Sequence, residues 1–275
     1  MIDIVTLGPA GTFSQLAADR MRSLPSQKRL SFYPTLTKTL NAVGEAAEIG
    51  VVPIENILEG VVSPVIDAFV KRPLQIIDEV TVPIAFSLIA NQPNPQQVFA
   101  QFVAQGQCSD ALERLAVPLT TTASNSESLK QLLACETPAA ALVPSHLVDT
   151  ELRQRLAWVE DEASDSPDNA TRFIAVTSAA QKASPYDAVT RYKTSFLILD
   201  DADQPGLLVE HLQVLAAYKV NLMALVSRPT GRQFGQYHFY LECEGRLEDS
   251  ALQAALTLIR LRTQVVTLGS YPDRR

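Results

Sequence analysis

The sequence has few of the residues that mark several common kinds of site. Its 275 residues include only three cysteines, Cys108, Cys135 and Cys243, which lie far apart and form no C-x-x-C pair. The three histidines are equally dispersed, so the chain has no local zinc signature. This cysteine usage favours a reducing compartment. We therefore predict a cytoplasmic protein with no bound metal.

The sequence also lacks a basic patch and a long apolar run. It has 23 Lys and Arg residues against 30 Asp and Glu residues, a net charge of −7, and its basic residues are scattered singly. Phosphate binding needs a basic stripe, so nucleic acid is not an expected partner. No apolar run approaches the length that spans a membrane, and the start "MIDIVTLGPA" does not resemble a signal peptide. We expect no membrane partner.

The chain does have regular hydrophobic patterning. Its apolar fraction of 47% and its length predict a globular protein of two domains. The strand-like runs "IDIVTLG", "LSFYP" and "IGVVPI" alternate with helical patterns, which predicts an α/β fold with a mostly parallel sheet. In "PLQIIDEVTVPIAFSLIA" two strand-like runs follow each other without a helix, which is typical of a chain passing between lobes.

The last part of the chain has a different pattern. A polar stretch, "SAAQKASPYDAVTR", is typical of a linker, and the order of elements after it is βαββαβ. That order predicts a ferredoxin-like domain. The predicted organisation is a two-lobed domain 1–178 (lobes 1–83 with 165–178, and 84–164), a linker 179–192 and a ferredoxin-like domain 193–275.

Polar residues gather where the predicted strands begin or end. In "LGPAGTFSQLA" a glycine turn enters a helix, whose N-terminus favours an anion. The hydroxyls of Thr12 and Ser14 could bind that anion or only cap the helix. Both interpretations stay open at this point.

Three further segments have the same character. Glu55 and Asn56 end the third strand, Thr121 and Thr122 end another, and Thr171 opens a strand in "SPDNATRF" together with Arg172. A charged loop, a helix cap and a surface turn are the ordinary structural alternatives. Taken together, the segments suit a small, multiply anionic ligand held between two lobes, and they do not say whether it reacts.

Three motifs in this order, "GPAGTFS", "VVPIENILEG" and "DNATRF", resemble the signatures of the prephenate dehydratase family. The later segments "KTSFLIL", "PGLLVEHL", "SRP" and "YHFYLECEG" are similar to the regulatory ACT domain that follows in this family. The resemblance covers nearly the whole chain. It implies a two-lobed catalytic domain, like a periplasmic binding protein, followed by an ACT domain.

The resemblance also implies a reaction. Prephenate would lose its ring carboxylate as CO2 and its ring hydroxyl as water, which gives phenylpyruvate for L-phenylalanine biosynthesis. Aromatisation drives these losses, so no cofactor is expected. By resemblance Thr171 is the essential threonine and gives an oriented hydrogen bond to the leaving hydroxyl, Glu55 is the alternative acid, and Arg172 binds the pyruvyl carboxylate. The other implied substrate contacts are Thr12, Phe13, Ser14, Asn56, Thr121, Thr122, Asn169 and Phe173.

The ACT resemblance implies an amino-acid effector, phenylalanine, and a homodimer or homotetramer formed through the ACT domains. The implied effector contacts are Gly206, Leu207, Leu208, Asn221, Leu222, Ser227, Arg228 and Pro229.

The chain departs from the family pattern at three places. Ile57 replaces the usual serine after "PIEN", "AQFVAQGQC" keeps only Gln107-Cys108 of a longer motif, and Val226 replaces the usual glutamate before "SRP". These departures leave alternatives: a prephenate decarboxylase, an arogenate dehydratase, or a sensor that binds an amino acid without catalysis. The retained Thr171 and the ACT domain favour dehydration.

Overall fold

The computed structural model describes residues 2–178, 191–199, 204–232 and 234–274. Lobe 1 is built on a sheet of strand order β2-β1-β3-β11-β5, with the short β4 beside β3. Its elements up to the first crossing are β1 (Ile2–Leu7), α1 (Phe13–Arg20), β2 (Lys28–Tyr33), α2 (Leu36–Ala42), β3 (Ile49–Asn56), β4 (Gly60–Val61), α3 (Ser63–Lys71) and β5 (Leu74–Pro83). Strand and helix alternate as the sequence predicts.

The chain crosses directly from β5 into lobe 2, which confirms the expected passage between lobes. The sheet of lobe 2 has the order β10-β6-β9-β7-β8. Its elements are β6 (Phe86–Ala90), β7 (Val98–Gln101), α4 (Phe102–Gln107), α5 (Ser109–Leu115), β8 (Leu119–Thr122), α6 (Asn125–Ala134), β9 (Ala140–Pro144), a 3-10 turn (Ser145–Leu147), α7 (Thr150–Arg155) and β10 (Trp158–Glu160). The chain then returns to lobe 1 as β11 (Ala170–Ser178).

Strand β11 runs between β3 and β5 and is antiparallel to both. β1 is parallel to β2 and to β3, so the carboxyl end of β3 and the start of β11 lie at one edge of the sheet. Ligands in open α/β sheets bind at the carboxyl ends of the parallel strands. The returning strand therefore brings its first residues to the edge where a ligand is expected.

The C-terminal domain, from residue 191 onward, is a four-stranded antiparallel sheet of order β13-β14-β12-β15. Its elements are β12 (Tyr192–Leu199), α8 (Leu207–Ala217), β13 (Leu222–Pro229), β14 (Tyr237–Glu244), α9 (Ser250–Arg260) and β15 (Gln264–Pro272). The βαββαβ order is the predicted ferredoxin-like fold. Most of the predicted linker, 179–190, lies outside the described residues, and Tyr192 already belongs to β12.

The two faces of the C-terminal sheet are buried against different partners. One face, with Phe196 and Leu241, packs on the domain's own helices α8 and α9. The other face, with Leu197, Tyr240 and Tyr271, belongs to the same apolar cluster as the core of lobe 1. The C-terminal domain and lobe 1 therefore share one apolar core. Burial of these side chains away from water stabilises the contact between the two units.

Strand β15 approaches β5 closely at one glycine. Gly269 has φ of +139°, and a Cβ atom there would lie 2.3 Å from the carbonyl oxygen of Ile76. The backbones can only approach in this way because glycine has no side chain. Nearby, the Gln75 side chain donates a 3.0 Å hydrogen bond to the carbonyl of Thr267.

No helix within the described ranges combines the length and the apolar character needed to cross a membrane.

Candidate active site

The candidate site begins where β3 ends and β11 starts. Thr171 pairs with Asn56 and Arg172 with Glu55, but the next pair is Phe173 with Pro53. The shift leaves one residue of β3 without a partner in β11, which is a β-bulge. Bulges re-aim the side chains beside them.

Before the bulge, Thr171 lies beside Asn56 and Arg172 lies beside Glu55. Adjacent residues of a strand project from opposite faces of a sheet. The expectation that Thr171 and Arg172 both turn toward a ligand between the lobes therefore differs from the structure, in which Arg172 points to the C-terminal domain.

A buried chain of hydrogen bonds surrounds the Thr171 hydroxyl. The Asn56 amide nitrogen lies 2.9 Å from the Thr171 Oγ1 and 2.9 Å from the Asn169 Oδ1. The Asn169 amide nitrogen in turn donates to the Oε1 of Gln107, at 3.2 Å, across the junction between the lobes. All four side chains are buried. Buried polar groups bonded in this way hold fixed orientations.

The Asn56 side chain is itself fixed from the other side. Its Oδ1 accepts 2.9 Å hydrogen bonds from the backbone nitrogens of Leu58 and Glu59. Its amide is thereby oriented as a donor toward Thr171. Because the Thr171 hydroxyl accepts this hydrogen bond, its own proton can be donated to a bound ligand. The arrangement suits an oriented donor rather than a free acid.

The Arg172 guanidinium is held by three carboxylates. It lies 2.9 Å from Glu55, 3.1 Å from Glu79 and 2.8 Å from Glu242, which belongs to β14 of the C-terminal domain. Burial by itself would lower the pKa of Arg172, but the surrounding groups, Glu242 first, raise it above its ordinary value. The guanidinium therefore stays charged, and a substrate carboxylate would have to displace one of these partners.

Glu55 lies at the solvent end of this group. Its side chain is 42% exposed, whereas that of Glu79 is 1% exposed. Its contact with Arg172 places it on the face opposite the Thr171 hydroxyl. The predicted role of Glu55 as an alternative acid stays a prediction.

The Thr12 hydroxyl, in the turn before α1, forms hydrogen bonds with residues close to it in the chain. Thr12 is the N-cap of α1, accepting from the Gln15 nitrogen, and it donates to the carbonyl of Leu7. The backbone nitrogen of Gly11 donates to the Gln15 side chain at 2.8 Å. Capping is thus the observed role of Thr12. Ser14 is buried.

Phe13 projects from this turn toward lobe 2. Its ring centroid lies 5.5 Å from that of Phe86 and 5.2 Å from that of His146. Desolvation lowers the pKa of His146, and its hydrogen bond to the Gly11 backbone opposes this effect in part. The imidazole is therefore mostly neutral near pH 7. We did not predict His146 from the sequence, where it is a single histidine with no motif around it.

The predicted hydroxyls of lobe 2 have different environments. Thr121 is exposed and accepts a hydrogen bond from Gln105 at 3.0 Å. Thr122 is buried, with its Oγ1 2.7 Å from the hydroxyl of Ser128. Phe173 is buried in the core of lobe 1. The structure thus brings Asn56, Asn169 and Thr171 together and leaves Thr122 and Phe173 in packing positions.

Gln107 is the residue of the buried chain that we did not select from the sequence. The signal was present, because Gln107-Cys108 is the part of its segment that matches the family pattern. Ile57, at the family's serine position, is 66% exposed beyond the end of β3. Its side chain is solvated and does not enter the buried chain.

The predicted effector residues lie in two places. Gly206, which precedes α8, and the segment Ser227–Pro229 lie at one end of the C-terminal domain, because β12 and β13 are both antiparallel to β14. Asn221 and Leu222 lie at the other end of β13. Val226 packs against the core shared with lobe 1, where the usual glutamate would be.

Comparison with known proteins identifies the family. A profile described as "Prephenate dehydratase" matches residues 4–181. A prephenate dehydratase from Mycobacterium sp. (strain JLS) is 31% identical over 300 residues, covering 98% of this chain and 88% of the relative.

Two solved structures are similar over nearly the whole chain. Prephenate dehydratase from Arthrobacter aurescens, in complex with L-Phe, is 27% identical with a TM-score of 0.82, covering 99% of this chain and 90% of the other. Prephenate dehydratase from Staphylococcus aureus subsp. aureus Mu50 is 26% identical with a TM-score of 0.81, covering 98% of this chain and 100% of the other. The profile match and the similarity of the mycobacterial enzyme over nearly the whole chain show that this chain belongs to the prephenate dehydratase family.

Proposed function

We propose that Thr171 is the residue that assists departure of the ring hydroxyl when this enzyme converts prephenate to phenylpyruvate. The supporting observation is the hydrogen bond from Asn56 to the Thr171 Oγ1, which leaves the hydroxyl proton for donation. A threonine hydroxyl is too weak an acid to be a free proton source near neutral pH. It acts as an oriented donor to the leaving oxygen.

The reaction needs little else from the protein. The bond from the ring to its carboxylate breaks, the electron pair enters the ring, and the bond to the hydroxyl breaks at the opposite carbon. The departing oxygen takes up a proton that the Thr171 hydroxyl relays from solvent water, so the products are CO2, water and an aromatic ring. A hydrogen bond that strengthens as negative charge develops on the leaving oxygen lowers the barrier. Asn56, Asn169 and Gln107 support this donor by fixing its orientation.

We propose that Arg172 also supports the site through its contacts with carboxylates. Its guanidinium holds Glu55, Glu79 and Glu242 together at the start of β11. A direct contact with the pyruvyl carboxylate would require the guanidinium to release one of them, and that contact stays a prediction. Thr12, Phe13, Ser14 and Thr121 lie on other segments, and their contacts with substrate are proposals too.

The test is turnover of prephenate by Thr171→Val, which keeps the shape of the side chain and removes the hydroxyl. Loss of one such donor costs about 100-fold or more in kcat. Thr171→Ser should recover part of the rate. Thr257→Val, in the exposed face of α9, is the matched control and should turn over at the wild-type rate.

Product identification by mass and ultraviolet spectrum belongs in the same experiment. Phenylpyruvate supports dehydration, whereas a hydroxylated non-aromatic keto acid would indicate decarboxylation alone. Arogenate, offered in parallel, tests the preference for a keto or an amino side chain. Near-normal turnover by Thr171→Val would contradict the role proposed for the hydroxyl.

We also infer that the C-terminal domain binds an amino-acid effector, with phenylalanine as the first candidate. The similar Arthrobacter aurescens structure contains L-Phe. In this chain Arg228 of the "SRP" segment forms two 2.9 Å bonds to Asp67 of α3. An effector that contacts this segment would therefore act on lobe 1 directly. Calorimetric titration with phenylalanine, tyrosine and methionine distinguishes the candidates.

The predicted effector residues lie at opposite ends of β13, and this separation favours an oligomer. Leu222 and Ser227 are five residues apart on β13, a separation of about 17 Å in a strand. β13 is an edge strand of its sheet. Antiparallel pairing of two β13 edges about a two-fold axis would bring Asn221 and Leu222 of one chain beside Ser227–Pro229 of the partner. We propose a homodimer or homotetramer formed in this way, and a monomer mass that is independent of concentration would contradict it.

Two further predictions stand as proposals. The cytoplasm is the proposed location, supported by Cys108, Cys135 and Cys243, all of which are free thiols in the structure. The domain bounds 1–178 and 193–275, with a linker between them, are the proposed division, and limited proteolysis followed by mass measurement would test it.

A further inference from the structure

A buried ion cluster joins the C-terminal domain to the candidate active site. It consists of Arg172 and Glu79 from lobe 1 with Lys193 and Glu242 from the C-terminal domain. Lys193 lies 2.6 Å from Glu79 and 3.7 Å from Glu242. Arg172 is 11% exposed, and the other three side chains are almost completely buried. These four side chains carry two positive and two negative charges, and Glu55 adds a third carboxylate at the solvent side of Arg172.

Hydrogen bonds within the C-terminal domain hold the Glu242 carboxylate, in addition to its contact with lobe 1. The Tyr240 hydroxyl donates a 2.5 Å hydrogen bond to the Glu242 Oε1, the oxygen that also receives Arg172. The Ser195 hydroxyl lies 2.7 Å from the Tyr271 hydroxyl and 3.2 Å from that of Tyr240. This hydrogen-bonded group belongs entirely to the C-terminal sheet. Its carboxylate is therefore held in place rather than free to follow Arg172.

The charge of Glu242 persists in this setting. Burial alone would raise the pKa of its carboxyl, but Arg172 and Lys193 lower the pKa below its usual range. A charged carboxylate on a fixed strand is a strong and directional partner for a guanidinium. Glu242 therefore holds Arg172 on the side away from solvent, and Glu55 holds it on the solvent side.

Arg172 is the residue directly after Thr171, at the start of a strand whose register shifts between Arg172 and Phe173. On the β3 side this bulge interrupts the ladder, whereas on the β5 side residues 170–175 keep a continuous register. The side chains on its two faces add to this ladder in fixing the strand start: Asn56 contacts Thr171 on one face, and the ion cluster holds Arg172 on the other.

We propose that Glu242, a residue of the C-terminal domain, is a positioning residue for the active site, because it holds Arg172 and thereby sets the position of the Thr171 hydroxyl. This inference rests on the proposed role of Thr171. In this proposal the C-terminal domain supports catalysis directly, as well as binding an effector. A shift of β14 relative to lobe 1 would change turnover without any change in the groups that touch substrate.

The experiment measures kcat and KM for prephenate with the full chain and its Glu242→Gln variant. A misplaced donor weakens only the transition state, so kcat should fall about tenfold while KM changes less than about twofold. Asp67→Asn is the matched control, because it breaks a different ion pair between the same two domains. That variant should keep the wild-type kcat in the absence of effector.

A double-mutant cycle separates positioning from a purely structural role. If Glu242 acts through Arg172, Glu242→Gln should cause no further loss of kcat in an Arg172→Gln background. Removing both charges also leaves the neutral pair of Lys193 and Glu79. The double variant should therefore melt at a higher temperature than either single variant.

Tyr240→Phe provides the second measurement should Glu242→Gln not fold. It removes one hydrogen bond to Glu242 and keeps every charge, and we expect kcat to fall about threefold with KM unchanged. The inference is overturned if Glu242→Gln and Asp67→Asn both lower the melting temperature and leave kcat at the wild-type value. It is also overturned if the losses from Glu242→Gln and Arg172→Gln multiply. Absence of turnover by the wild-type chain would instead contradict the proposed function.

Discussion

Lobe 1 contacts lobe 2 on one side and the C-terminal domain on another, and the residues at these two junctions differ in kind. The junction with lobe 2 has local contacts: Asn169 with Gln107, the Ser126 hydroxyl with the carbonyl of Ala10, and the ring of Phe13 with those of Phe86 and His146. The junction with the C-terminal domain has a shared apolar core and a buried ion cluster. A small number of local contacts separates at a lower free-energy cost than a shared core does.

This difference in contacts agrees with the function of each junction. A ligand enters between two lobes, so their contacts must break and form again. The C-terminal domain carries the partner of Arg172, so a loose junction there would disturb the start of β11. We therefore expect substitutions at the C-terminal junction to lower the free energy of unfolding more than substitutions at the lobe junction.

The largest effect is expected for Lys193→Met at the C-terminal junction. It leaves Glu79 and Glu242 buried with only Arg172 as a cation. Removing one partner of a buried ion pair costs about 3–5 kcal/mol, which corresponds to a fall of about 10 °C in melting temperature. Lys38→Met, on the exposed surface of α2, is the control and should change stability by less than about 0.5 kcal/mol.

The loss of unfolding free energy caused by Lys193→Met should depend on pH. Lys193 helps to lower the folded-state pKa of Glu242, so its contribution is present above the unfolded pKa of about 4.3 and is lost as the pH falls through the lower folded value. The difference in unfolding free energy between wild type and variant should therefore be larger at about pH 7 than at about pH 3.5. Urea denaturation at the two pH values measures it, and a difference that widens in acid would contradict this account.

Gly269→Ala is expected to have the next largest effect. The added Cβ meets the carbonyl of Ile76 at 2.3 Å, and φ of +139° is unfavourable for alanine. Separating β15 from β5 should cost about 2–4 kcal/mol. Gly106→Ala, where the added atom meets nothing within 4 Å, is the control for the substitution itself and should not destabilise the chain. Equal melting temperatures for the two variants would show that the close approach of the strands is not needed.

At the lobe junction, Gln107→Leu should have a smaller effect on stability and a larger one on turnover. It leaves the buried amide of Asn169 without the Gln107 acceptor, at a cost of about 1–2 kcal/mol. Because Asn169 contacts Asn56, we expect kcat to fall about tenfold. Gln107→Glu keeps an acceptor oxygen at the same place and should recover part of the rate. Loss of stability without loss of kcat would remove Gln107 from the catalytic support.

Ser126→Ala should have the smallest effect. It removes one exposed hydrogen bond, of 2.5 Å, between α6 and the turn before α1. We expect a loss of about 0.5–1 kcal/mol and a change in kcat/KM of less than about twofold. If chemical denaturation showed a loss as large as that of Lys193→Met, the proposed contrast between the two junctions would be wrong.

The site was predicted from the sequence in part. The segments ending at Asn56 and beginning at Asn169 were identified because polar residues follow or precede apolar runs, and the structure brings them together. The paired contact of Thr171 with Asn56 depends on the return of β11 beside β3, across more than a hundred residues of chain. No local pattern contains that pairing, and the bulge that follows Arg172 depends on it too.

Hydrophobic spacing predicted the alternation of strands and helices, the crossing after β5 and the βαββαβ order of the last domain. These features depend on interactions between near neighbours in the chain, which is why periodicity reveals them. The same spacing predicted a mostly parallel sheet wrongly, because β11 returns antiparallel to β3 and β5. Only the tertiary structure decided that Arg172 binds Glu242, that the second face of the C-terminal sheet is buried on lobe 1, and that Gln107 reaches Asn169. Each of these contacts joins distant segments, and its free energy depends on burial and on charges that the segments acquire only when they pack.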